Sequence, residues 1–192
     1  MARSFHKACV IGAGVMGQGI AAHLANARVP VLLLDIVPPS LSDEDKKAGL
    51  DPASKAFRNR FAQGGLDKAL QAKPALFFTK KAAELVEVGN LEDDLEKVRE
   101  CDLVIEVVLE KLEVKQQLFA RLEKVIAPGT VVSSNTSGLS IAGTISRPTM
   151  TLTTTILTID FPASISDWEE NSRRKPAIGL MFWRFGAIFL GV

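Results

Sequence analysis

The sequence predicts an α/β domain built on a doubly wound parallel sheet, followed by a C-terminal tail of different character. Three observations carry this expectation. Residues 8–11, 29–34 and 102–108 are short apolar runs rich in Val, Ile and Leu, as expected of strands buried on both faces. Segments with apolar residues at helical spacing separate them, and that alternation is the pattern of parallel strands joined by crossover helices. The first run also passes directly into Gly12-Ala13-Gly14-Val15-Met16-Gly17, a strand-to-helix turn.

Each element has its own justification. The strand at 8–11 leads into a helix over 18–27, and the second strand closes on Asp35. Arg28 precedes Val29-Pro30 and ends that helix as a solvated charge near its negative pole. Residues 38–47 are polar and proline-punctuated, a surface excursion that needs no packed element. Further on, Ala56, Phe57, Phe61, Leu66, Ala69 and Leu70 recur at near-helical intervals. Gly64-Gly65 in their midst costs about 1 kcal/mol per glycine, so a helical hairpin or a kinked helix is expected. A short strand at 85–88 and a short helix at 91–99 precede the strand at 102–108. The helix over 111–126 turns Leu112, Leu118, Phe119, Leu122 and Val125 to the core; Pro128-Gly129 stops it, and residues 130–134 return to the sheet. The unit spans 1–145, with a helical excursion at about 38–90; residues 146–192 are the tail.

Composition excludes several function classes. The 192 residues can bury roughly 70% of their unfolded surface, enough for a stable core. A net charge of +1 with interspersed acids and bases gives no basic footprint for nucleic acid. Cys9 and Cys101 adjoin predicted buried strands and read as reduced structural thiols, while His6 and His23 form no ligand cluster, so no metal is expected. No apolar stretch of signal-peptide length precedes the glycine loop, and a cytoplasmic protein is expected.

A glycine-rich turn serves either an ordinary strand-to-helix connection or a phosphate. The order strand, turn, helix, strand and acid favours the second, as in a Rossmann-type NAD-binding domain. Gly12 permits the tight turn, Gly14 lets backbone approach a pyrophosphate, and Gly17 brings helix and sheet together. Gly12, Ala13, Gly14, Val15, Met16 and Gly17 are therefore candidate cofactor-binding residues, the phosphates meeting N–H groups at the positive end of the helix dipole. Asp35 is placed to accept hydrogen bonds from both ribose hydroxyls and to repel a 2′-phosphate, which favours NAD over NADP.

Ligands of such sheets bind beyond the carboxyl ends of the strands. Glu110 follows one strand there, and Ser133-Ser134-Asn135-Thr136-Ser137-Gly138 follows the next. That cluster reads either as a turn and N-cap before Leu139 or as small polar groups lining the nicotinamide end of the crevice.

Three motifs in order, residues 12–21, 101–115 and 134–137, resemble the NAD-binding domain of 3-hydroxyacyl-CoA dehydrogenases over roughly residues 5–145. The stretch 38–90 looks most like the long bacterial form, in which the dehydrogenase is fused to an enoyl-CoA hydratase module. The resemblance implies NAD-dependent oxidation of 3-hydroxyacyl-CoA to 3-oxoacyl-CoA in fatty-acid β-oxidation. It places Glu110 and Lys115 near the cofactor, Ser137 against the substrate hydroxyl as a catalytic residue, and Asn135 in the same loop. Lys68 and Lys73 either meet a CoA phosphate or belong to a solvated face.

Family members follow the serine loop with a G-L-H-F-F-N-P strand, whose histidine takes the hydroxyl proton. Here residues 178–184 offer the best local register, and Met181 stands in the histidine's place; a thioether cannot act as a general base. The glutamate that orients this histidine and the helical C-terminal domain would lie beyond Val192, so association with a separate C-terminal dehydrogenase domain is expected. A chain that binds NAD but is catalytically incomplete follows, with a non-catalytic NAD-binding module as the alternative. In the tail, residues 149–161 have strong β-propensity, 167–175 are highly charged, and 177–192 are apolar except for Arg184. Sixteen residues interrupted by Arg fall short of the roughly 20 that span a membrane. The tail reads either as the product of a truncated or shifted reading frame or as a segment that binds a partner or interface.

Overall fold

In the computed structural model, residues 5–47 and 49–135 are described together with the backbone of 152–154. The chain runs β1 (Ala8–Ile11), α1 (Val15–Asn26), β2 (Val31–Asp35), α2 (Asp43–Lys47), α3 (Lys55–Arg58), α4 (Arg60–Gln71), α5 (Lys80–Ala83) and β3 (Val86–Asn90). A 3-10 helix (Leu95–Glu100), β4 (Leu103–Glu106), α6 (Leu112–Leu122), β5 (Val131–Ser134) and β6 (Leu152–Thr154) follow. The six strands form one parallel sheet in the order β3-β2-β1-β4-β5-β6. The doubly wound architecture expected from the apolar runs is therefore present.

Alternation along the strands supplies two cores. Ala8 and Val10 of β1, with Val31, Leu33 and Ile105, face α1 and Ala62 of α4; Cys9, Ile11, Leu32, Leu34 and Val104 face Leu118, Phe119 and Leu122 of α6. Burial on both faces explains why these strands read as unbroken apolar runs. Cys9 and Cys101 are buried free thiols in the second core. Burial pushes the Cys9 thiol up, and the hydrogen bond between the two sulfurs adds to that effect.

The excursion departs from expectation in three places. Residues 38–47 contain a packed element: Ser42 and Asp45 cap α2 reciprocally, and buried Asp45 also accepts from Arg60. The sequence signal was Ser42-Asp43-Glu44-Asp45, an S-x-x-D capping box. Secondly, the helical break falls at Asn59, and α4 runs unbroken through Gly64-Gly65. A Cβ on Gly65 would stand 2.5 Å from the Ala13 carbonyl oxygen, so this glycine lets α4 lie directly on the glycine loop. Thirdly, the buried stripe of α4 is Ala62, Gly65 and Ala69, while Phe61 and Leu70 are exposed. Small residues, rather than large ones, face inward because backbone approaches backbone here.

Elsewhere, a 3-10 helix replaces the expected helix over 91–99. The Asn90 side chain accepts from the Glu92 and Asp93 amides and folds residues 91–94 into a turn, leaving six residues for the helix. α6 ends at Leu122, four residues before the expected limit. Arg28 takes a φ of +64° as α1 terminates, its amide donating to the Ala25 carbonyl. β6 lies within the run singled out for β-propensity and pairs with β5 in the register Val132↔Leu152 to Ser134↔Thr154, past residue 145. Ser137, Met181 and the remaining tail expectations lie outside the described residues.

Candidate cofactor site

β1 is the point at which strand order reverses, with β2 on one side and β4 on the other. The helix after β1 covers one face of the sheet and the helix after β4 the other, so the two connections part and leave a crevice at the carboxyl edge. The glycine loop forms one wall. Gly12 adopts φ +105°, and a Cβ there would meet the Val107 carbonyl oxygen at 2.6 Å. Gly17 is still more confined: its Cβ would lie 1.7 Å from the Gly12 carbonyl oxygen. Both glycines are explained by the fold itself.

Gly14 is different. Its φ of −64° and ψ of −172° are accessible to any residue, and a Cβ built there meets nothing within 4 Å. As N-cap of α1 it brings no side chain to the first-turn N–H groups, and no acid lies in that turn. Open space, helix-terminal donors without a side-chain cap and a positive dipole end fit a pyrophosphate.

Asp35 ends β2 beside this loop. Its Oδ2 accepts from the Ala13 amide at 2.7 Å and its Oδ1 from the Ile36 amide at 2.7 Å. A carboxylate has about four acceptor sites, so capacity remains for ribose hydroxyls. The exposed side chains of Val15, Met16, Ile36 and Leu109 add apolar surface around the same edge.

On the β4 side, Lys115 is wholly buried and donates to both oxygens of the equally buried Glu106 at 2.8 Å. Glu110, 40% exposed, lies 3.4 Å from the same ammonium group. The Glu106 carboxylate also accepts from the Val108 amide at 2.7 Å and from the Ser134 hydroxyl. The Asn135 amide, just past β5, donates to the Glu106 carbonyl. Thus the expected Glu110 and Lys115 are brought together, with Asn135 nearby. Glu106 was missed, and Ser134, expected within the crevice-lining cluster, instead turns its hydroxyl to the buried Glu106 carboxylate. Two signals marked the pair: an acid ending an apolar strand, and a lysine in register with Leu118, Phe119 and Leu122 on the core face of α6.

The two histidines lie at the opposite edge. His6 precedes β1, its amide bonded to the Asp102 carboxylate, and His23 sits in the last turn of α1, where burial lowers its pKa. Lys68 and Lys73 are exposed.

The sequence profile of the 3-hydroxyacyl-CoA dehydrogenase NAD-binding domain matches residues 7–154. The chain belongs to this family. A probable 3-hydroxyacyl-CoA dehydrogenase of Bacillus subtilis is 50% identical over 141 residues, covering 73% of this chain and 18% of the relative. A putative fatty acid oxidation complex trifunctional enzyme of Rickettsia felis is 41% identical over 141 residues, with the same 73% and 18% coverage. The chain therefore spans less than a fifth of the length of these relatives. Among solved structures, 3-hydroxybutyryl-CoA dehydrogenase of Escherichia coli superposes with a TM-score of 0.50 at 29% identity, over 74% of this chain and 27% of that one. The dehydrogenase part of a C. elegans multifunctional enzyme gives 0.53 at 21% identity, covering 80% and 32%, and attests the fold. NAD is the cofactor of the matched domain. Among the described residues, no helix is long and apolar enough to cross a membrane, and no cluster of three or more His, Cys, Asp or Glu could hold a metal ion.

Proposed function

We propose that this chain holds NAD at the carboxyl edge of its sheet and serves the oxidation of 3-hydroxyacyl-CoA thioesters, by itself as a cofactor-binding unit with little turnover. The observation that carries the cofactor reading is Gly14, a glycine that neither backbone conformation nor packing requires. In this reading the amides of Val15, Met16 and Gly17 receive the pyrophosphate, and Asp35 accepts from the adenosine ribose while repelling a 2′-phosphate. When bound, the nicotinamide supplies the hydride acceptor. Glu110 and Lys115 border its end of the crevice, and Asn135 and Ser137 of the serine loop orient the substrate hydroxyl.

Proton removal from that hydroxyl calls for a general base, which typically contributes 10²-fold to 10⁴-fold in rate. His6 and His23 lie at the far edge of the sheet. Full activity accordingly requires a further dehydrogenase domain that brings the base and completes the acyl-CoA site, with the assembly working in the cytoplasm. A purely non-catalytic NAD-binding module is the second reading, supported by the same placement of the histidines.

Fluorescence titration with NADH and NADPH, followed by an acetoacetyl-CoA-dependent NADH oxidation assay, tests both. We expect NADH to bind at least about tenfold more tightly than NADPH, a difference of about 1.4 kcal/mol, with negligible oxidation. Absence of NADH binding overturns the cofactor reading. Robust turnover by the 192-residue chain overturns the claim of incompleteness.

A further inference from the structure

We infer that the buried Glu106–Lys115 pair is a positioning device for the nicotinamide end of the crevice, with Glu106 as its centre. This deepens the proposed function and rests on its cofactor reading. The Glu106 carboxylate is fully engaged: Oε1 accepts from the Val108 amide and the Lys115 ammonium, and Oε2 from Lys115 and the Ser134 hydroxyl. Those donors come from three separate segments, the loop after β4, the helix α6 and the end of β5. One carboxylate therefore ties together the segments that frame the β4 side of the crevice.

Burial makes this arrangement informative. Both side chains are 0% exposed, and a buried ion pair generally adds no more stability than apolar side chains of similar volume. Stability does not by itself account for its presence at the end of an otherwise apolar strand. Geometry supplies an account: Lys115, anchored by Glu106, reaches Glu110 at 3.4 Å and so holds the partly exposed carboxylate at the crevice. Through Ser134, the same anchor fixes the end of β5 next to Asn135. With all four lone-pair sites occupied, Glu106 acts through its neighbours and accepts no substrate proton. It is a positioning residue.

The pair lies on the β4 side, whereas Gly14 and Asp35 hold the adenosine and pyrophosphate side. NADH should therefore sense its loss and ADP-ribose, which lacks the nicotinamide, should not. The test uses the full 192-residue chain carrying Glu106→Leu together with Lys115→Met, an apolar pair of similar volume. Expected are a cooperative thermal transition like that of wild type, an NADH Kd raised about tenfold, and an ADP-ribose Kd within about twofold of wild type. Ser134→Ala, which leaves the ion pair in place, is expected to weaken NADH by about threefold without affecting ADP-ribose, and keeps the idea testable if the double variant does not fold. Unchanged NADH affinity in both variants, or equal loss of NADH and ADP-ribose, overturns the inference. Failure of the wild-type chain to bind either ligand overturns the cofactor reading beneath it.

Discussion

Substituting Gly14 by Ala separates what the fold needs from what the ligand needs. The backbone at Gly14 already sits at φ −64° and ψ −172°, and the new methyl group meets nothing within 4 Å. Folding is therefore not penalised. The unfolded chain loses freedom, so the variant should gain about 0.4–1 kcal/mol of stability. Binding responds in the opposite direction, because the methyl group occupies the space through which a pyrophosphate must approach the α1 amides. A tenfold loss of NADH affinity corresponds to about 1.4 kcal/mol, and at least that is expected. Gly17→Ala provides the contrast: its Cβ would stand 1.7 Å from a backbone oxygen, and relief requires α1 to move off the loop. Overpacking of this kind costs about 1–3 kcal/mol or more, so thermal stability and NADH affinity should fall together. Thermal unfolding and NADH fluorescence titration on all three proteins measure both quantities. A Gly14→Ala protein that binds NADH as wild type does would refute the reasoning, since the glycine would then serve no ligand.

Two further predictions concern charge. Lys115→Met as a single change leaves Glu106 buried without its counter-ion and should destabilise the chain by about 3–5 kcal/mol in urea denaturation; a loss below about 1 kcal/mol would show that the pair is not truly enclosed. Asp93 is held at about 2, below its ordinary 3.8, first by the Arg58 guanidinium at 2.6 and 2.7 Å and then by the Asn90 amide. Its depressed pKa makes its contribution fully present above about pH 4 and lost as the pH falls toward 2. Urea midpoints measured between pH 5 and pH 2 should therefore converge for wild type and Asp93→Asn at the acid end, and parallel curves would contradict the assignment.

Local pattern settled a large part of this protein. Strands buried on both faces need continuous apolar runs, and β1, β2 and β4 could be read from theirs. The glycine loop was equally legible, because Gly12 and Gly17 answer to contacts within a few residues of chain or to one neighbouring strand. Asp35 followed from its place at the end of β2. The S-x-x-D capping box at Ser42 is equally local, but the reading of residues 38–47 as a surface excursion without a packed element missed the helix it caps. What the sequence by itself could not decide was which side chains meet across elements. Phe61 and Leu70 match helical periodicity as well as Ala62 and Ala69 do, and only the close approach of α4 to Ala13 places the small residues inward. Glu106 and Lys115 belong to a strand and a helix whose own patterns are satisfied without any pairing. Their contact exists because α6 packs on the face of the sheet toward which Glu106 points. Secondary structure answers to neighbours along the chain, whereas a buried charge is tolerable only when a specific partner arrives from another element. That second condition belongs to the tertiary structure, and with it the geometry on the β4 side of the crevice.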